Sequence, residues 1–225
     1  MIDVLVADDQ TLIRSAIVDL LTHAEDMTVV GQASDGREAE ALARQIRPDV
    51  VLMDIRMPGT DGIAATRAIC SDPALADVRV LVLTTFEEDQ YIVGALRAGA
   101  SGFIGKGSEP DRILDAVRAV NAGDALLSPA ATRALIDRYV TPAAQADPLP
   151  DTLKYLTERE IEVLSLVGAG RSNDEIARRL VISPHTAKTH VGRIMTKLSA
   201  HDRAQLVIAA YESRLVRPGE ESSSV

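Results

Sequence analysis

The sequence predicts an α/β fold, a doubly wound five-stranded parallel sheet, followed by a small all-α domain. Three observations carry that prediction. Short β-branched runs alternate five times with helical patterns up to residue 123, and such alternation builds a parallel sheet with helices on both faces. Periodicity then breaks at TPAAQADPLPDT, Thr141 to Thr152, where three prolines and small polar residues fit no repeating pattern. Charge also changes sign: residues 1–123 hold 11 Lys and Arg against 20 Asp and Glu, a net of −9, whereas residues 154–217 hold 11 against 7, a net of +4. The two parts are therefore expected to meet different partners.

In the first part, strands are expected at residues 2–7, 27–31, 49–53, 79–84 and 102–104, and helices near 11–23, 36–46, 61–70, 88–98 and 109–121. Residues 124–152 form a linker, with a helix at 128–139, and the tail PGEESSSV, 218–225, is expected to be disordered. A content of 46% hydrophobic and 25% charged residues is that of a soluble globular protein. No apolar run approaches the roughly 18 residues needed to span a membrane, and Met1 is followed at once by the strand-like IDVLVAD, so neither a span nor a leader is expected. Cys70 is the single cysteine, which excludes an internal disulfide or a CxxC motif and fits a reducing cytoplasm. The four histidines lack metal-ligand spacing.

Ligands of open parallel sheets bind beyond the carboxyl ends of the strands, and there the polar residues collect. Asp8 and Asp9 follow the first strand, Asp54 ends the third, Thr84 the fourth, and Lys106 follows the fifth. Three carboxylates at one rim repel one another unless a divalent cation joins them, which predicts a magnesium site.

The segments DDQ, MDIRMPGTDG, LTTF and GASGFIGKG, in this order on successive strand ends, resemble those of a response-regulator receiver domain, and the likeness covers residues 1–123. The resemblance implies a flavodoxin-like fold in which Asp54 is the phosphoacceptor. It further implies that Asp9, Asp54 and the backbone carbonyl of Arg56 ligate Mg²⁺, Asp8 assists through water, and Lys106 pairs with the phosphoryl oxygens. Thr84 would swing its hydroxyl onto the phosphoryl group with Phe103 following inward, although ordinary core packing also accounts for Phe103. Magnesium phosphohydrolases share aspartyl-phosphate chemistry, but they place a second Asp two positions after the nucleophile as general acid, and here that position is Arg56. The chain therefore looks like a phosphorylation switch rather than a dedicated enzyme. Arg56 and Phe86, each two residues beyond Asp54 and Thr84, are expected to shield the acyl phosphate from water.

In the second part, Thr157 followed by Glu160 forms a capping box, with Ile161, Val163, Leu164 and Val167 as the apolar face of a first helix that ends at Gly168 and Gly170. Ser172 or Asn173 caps a short helix, DEIARRLV, and ISP turns the chain into a third helix starting at Pro184. At about 100° per residue, Ala187, Val191, Ile194, Met195 and Leu198 share one stripe of that third helix, opposite His185, Thr189, Gly192, Arg193, Thr196 and Lys197. His190 falls at the stripe's edge, where packing is the expected role. No acidic residue occurs between Ser183 and His201, so the polar face is basic throughout, as docking in the DNA major groove requires.

Residues 154–217 resemble the LuxR-type helix-turn-helix, and the union with a receiver domain resembles the NarL/FixJ class of response regulators. By that resemblance Lys188 and Thr189 face base edges, while Ser183, Thr186, Arg193 and Lys197 contact phosphates or the groove wall. Gly192 stands where many relatives present a polar side chain, and Gly107 where relatives often have Asp or Pro. Val207, Ile208 and Tyr211 suit either a dimer seam or the domain core. The resemblance implies a cytoplasmic transcription factor with a sensor histidine kinase and promoter double-stranded DNA as partners, dimeric when active.

Overall fold

The computed structural model describes residues 1–84, 89–123, 126–127, 151–213 and 215–216. The expected helix at 128–139, most of the linker, the tail and Phe86 lie outside these described residues. The chain divides into two compact units, Met1–Ala134 and Leu135–Val225.

The first unit alternates β1 (Ile2–Ala7), α1 (Thr11–Thr22), β2 (Met27–Ala33), α2 (Gly36–Ile46), β3 (Val50–Met53), α3 (Gly62–Ser71), β4 (Arg79–Thr84), α4 (Asp89–Arg97), β5 (Gly102–Gly105) and α5 (Pro110–Asn121). All strands are parallel, as anticipated, and lie in the order β2-β1-β3-β4-β5, and β2 continues two residues past its expected end. A sixth strand, β6 (Leu126–Leu127), extends the edge inside the segment expected to be linker, pairing in parallel with Gly102 and Phe103. Two residues are too few to show an alternation in sequence.

The pleat explains why these strands are so apolar. Successive side chains point to opposite faces, and helices cover both. Val4 and Val6 of β1 join Val50, Leu52, Leu81 and Leu83 under α1 and α5, which contribute Ile17, Leu21, Ile113 and Val117. Leu5 and Ala7 point the other way, joining Val51, Met53 and Val80 under α2 and α3, which contribute Ala39, Ala43, Ala65 and Ile69. Each fully buried aliphatic side chain contributes roughly 1.5–3 kcal/mol of transfer free energy.

The second unit opens with a 3₁₀ turn, Asp151–Tyr155, and then packs α6 (Glu158–Gly168), α7 (Asn173–Leu180), α8 (Pro184–Leu198) and α9 (Arg203–Glu212). Both halves of the capping box are formed at Thr157 and Glu160, and a second box at Ser172 and Glu175 makes Ser172, rather than Asn173, the cap of α7. Val181 ends α7 in the left-handed region, φ 53°, and is 90% exposed, so a β-branched residue bears the strain of the turn. The core comprises Val163, Leu164 and Val167 of α6, Ile176 of α7, Ala187, Val191 and Ile194 of α8, and Leu206 and Ala210 of α9. Val207, Ile208 and Tyr211 are buried within this unit as well. Among the described residues, no helix is long and apolar enough to cross a membrane.

Candidate functional site

The acidic rim forms where β1, β3 and β5 end. Asp8 and Asp54 are almost fully buried, at 2% and 3% exposure, while Asp9 faces solvent. Carboxylate oxygens of Asp8, Asp9 and Asp54 lie within 4.8 Å of one another. The Lys106 ammonium reaches under them from the turn after β5, 2.6 Å from Asp8 Oδ2 and 2.9 Å from Asp54 Oδ2. The site therefore brings three carboxylates against one ammonium. Burial pushes the Asp54 carboxyl above the usual carboxylate range; Lys106 opposes that shift and the Asp8 charge adds to it. An excess of oxygen donors and negative charge around one point suits a hard divalent cation.

The backbone holds these groups in place. Asp54 N–H donates to the Ala7 carbonyl at 2.8 Å and Asp8 N–H to the Ala33 carbonyl at 3.1 Å, so ladder bonds fix both acids at the strand ends. Asp8 Oδ1 also accepts from the Gln10 N–H at 2.9 Å, and the Arg14 guanidinium donates to the Asp8 carbonyl. Arg56 is exposed just beyond Asp54. Thr84 ends β4 with its backbone in register with Gly105, and Phe103 is 1% exposed within β5.

Two glycines shape the rim, and sequence reasoning assigned neither a role. Asp61 caps α3, accepting from the Ala64 N–H at 2.7 Å, and a Cβ on the following Gly62 would sit 1.8 Å from the Asp54 carbonyl oxygen. Asp35 caps α2 in the same way, and a Cβ on Gly36 would sit 2.4 Å from the Thr60 carbonyl. The signal was the repeated Asp-Gly at a helix start: the acid caps, and the glycine lets the helix end lie directly on the loop behind Asp54.

The second unit presents α8. Ser183 caps it, its hydroxyl accepting from the Thr186 N–H at 3.0 Å, with the two hydroxyl oxygens 2.8 Å apart. Lys188, Thr189 and Arg193 are exposed, and Thr189 donates its hydroxyl back to the His185 carbonyl at 2.9 Å. His190 is half-buried at the edge of the apolar stripe. Lys197 is exposed like the rest of the face, and its ammonium also lies 2.7 Å from Oε2 of Glu160, a residue only 4% exposed. A contact between residues 37 apart cannot be read from helical periodicity.

Comparison with known proteins reaches the same two units. Residues 4–118 match the family described as response regulator receiver domain, and residues 154–210 match bacterial regulatory proteins, luxR family. The transcriptional regulatory protein YxjL of Bacillus subtilis is 39% identical over 216 residues, spanning 96% of this chain and 98% of YxjL. The chain belongs to the response regulators with a LuxR-type DNA-binding domain. The regulator LiaR of the same organism is 38% identical across 96% of this chain and all of its own length. Among solved structures, the response regulator ChrA of a heme-sensing two-component system is 37% identical with a TM-score of 0.52, covering 96% of this chain and 98% of ChrA. A LuxR-family response regulator from Aurantimonas is 33% identical with a TM-score of 0.57, covering 62% of this chain and 99% of that one. Phosphorylation by a kinase is typical of this family, whose members are transcription regulators.

Proposed function

We propose that this response regulator accepts a phosphoryl group on Asp54 from a sensor histidine kinase and binds promoter double-stranded DNA through α8, as a homodimer in its active state. The receiver domain comprises residues 1–123, the linker 124–152 and the DNA-binding domain 153–217, and the protein works in the cytoplasm. The observation that supports it most is the buried Asp54, joined with Asp8 to one ammonium and lying beside the exposed Asp9.

Asp8, Asp9 and Asp54, with the Arg56 carbonyl, would hold Mg²⁺, which supplies neutralisation of the transferred group's oxygens. An Asp54 oxygen forms the new P–O bond as the donor's P–N bond breaks, and the imidazole takes the electron pair. Lys106 lies close enough to Asp54 to bond the arriving phosphoryl oxygens. Thr84 and Phe103 would form the switch, with Thr84 taking up the new oxygens and Phe103, already buried in β5, repacking in response. No acid stands at the position of Arg56 to protonate a leaving group, so phosphate is lost only by slow autodephosphorylation.

On α8, Lys188 and Thr189 face the bases, and Ser183, Thr186 and Arg193 lie toward the sugar-phosphate backbone. Two such helices would meet half-sites about 10 bp apart. Intact-mass analysis after acetyl phosphate and Mg²⁺ tests the first step. The expected result is one added phosphoryl group on the parent and none on Asp54→Asn; an equally phosphorylated Asp54→Asn would refute it.

A further inference from the structure

Within the DNA-binding unit, one charge pair does something the basic face alone does not explain. Glu160 Oε2 accepts from the Thr157 N–H at 2.7 Å and lies 2.7 Å from the Lys197 ammonium. The carboxylate is fixed by its capping box in the first turn of α6, where the helix dipole favours an anion. The ammonium belongs to the last turn of α8, where the dipole favours a cation. The pair thus ties the start of α6 to the end of α8, and Lys197 spends its only charge doing so. Among the described residues, Lys188 and Arg193 of the same helix have no ion-pair partner.

We propose that Glu160 and Lys197 are positioning residues for DNA recognition: the pair withdraws Lys197 from the phosphate-binding charge of α8 and sets the orientation of that helix within the domain. This rests on the DNA-binding reading above. If Lys197 turned to a phosphate, it would leave a nearly buried carboxylate without its counter-ion, so the intramolecular partner wins. The strong lowering of the Glu160 carboxyl, to about 2, caused first by Lys197 and next by the Thr157 N–H, agrees with this. The acid-free stretch of α8 therefore overstates its DNA-facing charge by one.

The test is the salt dependence of binding by the full chain to a short mixed-sequence duplex. Each lost phosphate contact flattens the plot of log affinity against log salt by about 0.9. Arg193→Gln should flatten it by about that amount, whereas Lys197→Gln should keep the parent slope while lowering affinity by a salt-independent factor, restored by Lys197→Arg. Glu160→Gln frees the ammonium and should steepen the slope by about 0.9, a gain that a purely structural role would not produce. A Lys197→Gln slope as flat as that of Arg193→Gln, or an unchanged slope in Glu160→Gln, would overturn the proposal. Should either single variant fail to fold, Glu160→Gln/Lys197→Gln must show the parent slope, and a flatter one overturns it. A parent whose binding ignores salt, with Lys188→Gln unchanged, would refute the DNA-binding reading itself and this proposal with it.

Discussion

The two units manage charge in opposite ways. At the acidic rim, Asp8 and Asp54 are buried together against one lysine, so the receiver domain holds like charges where they repel. On α8, Lys188 and Arg193 stand in solvent, and Lys197, exposed as well, meets a buried acid of opposite sign. The first arrangement stores a like-charge repulsion that a divalent cation would relieve. The second keeps its cations in water until a polyanion arrives. A switch and its output thus differ in where the cost of desolvation falls.

The sharpest way to break the comparison is at Gly62. With 1.8 Å between a new Cβ and the Asp54 carbonyl, Gly62→Ala must shift α3 or the strand end, and we expect a loss of about 3 kcal/mol or more in chemical denaturation of the receiver unit. Lys106→Met comes next. It removes the ammonium that joins two buried acids, so phosphorylation from acetyl phosphate should slow on the order of 10²-fold, while added Mg²⁺ should raise the melting temperature more than it does for the parent. An unchanged rate in Lys106→Met would show that the buried pair is incidental.

Glu160 gives an intermediate effect with a definite pH window. Its carboxyl is held at about 2 in the folded state, below its ordinary value of 4.5. The folded form therefore binds its proton more weakly than the unfolded chain does, so this contribution is fully present above pH 4.5 and is lost as pH falls through about 2. With Lys197 partly solvated the contribution is on the order of 2 kcal/mol, and Glu160→Gln should flatten the acid limb of the second unit's unfolding curve by that amount. The smallest effect is expected at Gly192, where a Cβ would meet nothing within 4 Å: Gly192→Ala should stabilise α8 by roughly 0.5–1 kcal/mol in thermal unfolding.

The same contrast decides what could be read from residues alone. Strands buried on both faces appear as unbroken apolar runs, so Asp8, Asp9, Asp54 and Lys106 stand out as polar residues at the ends of VLVA, VVLM and FIG. The stripe of α8 is equally plain because 3.6-residue spacing is local. The Glu160–Lys197 pair joins different helices, and a lysine on a basic face looks like a DNA contact until its partner is found. Gly62 is legible only in part: the repeated Asp-Gly marks a capped helix start, but the close approach to a backbone 8 positions earlier is a tertiary contact that no local pattern encodes. The two-residue β6 is too short to leave a pattern at all.

The central claim is that a charge placed on Asp54 changes how the basic face of α8 meets DNA. Duplex DNA titrated with the full chain, with and without beryllofluoride and Mg²⁺, tests it most directly. The account predicts an affinity gain of about tenfold in the parent, equivalent to about 1.4 kcal/mol of coupling, and none in Asp54→Asn. Equal affinity with and without beryllofluoride in the parent, or the same gain in Asp54→Asn, would contradict it.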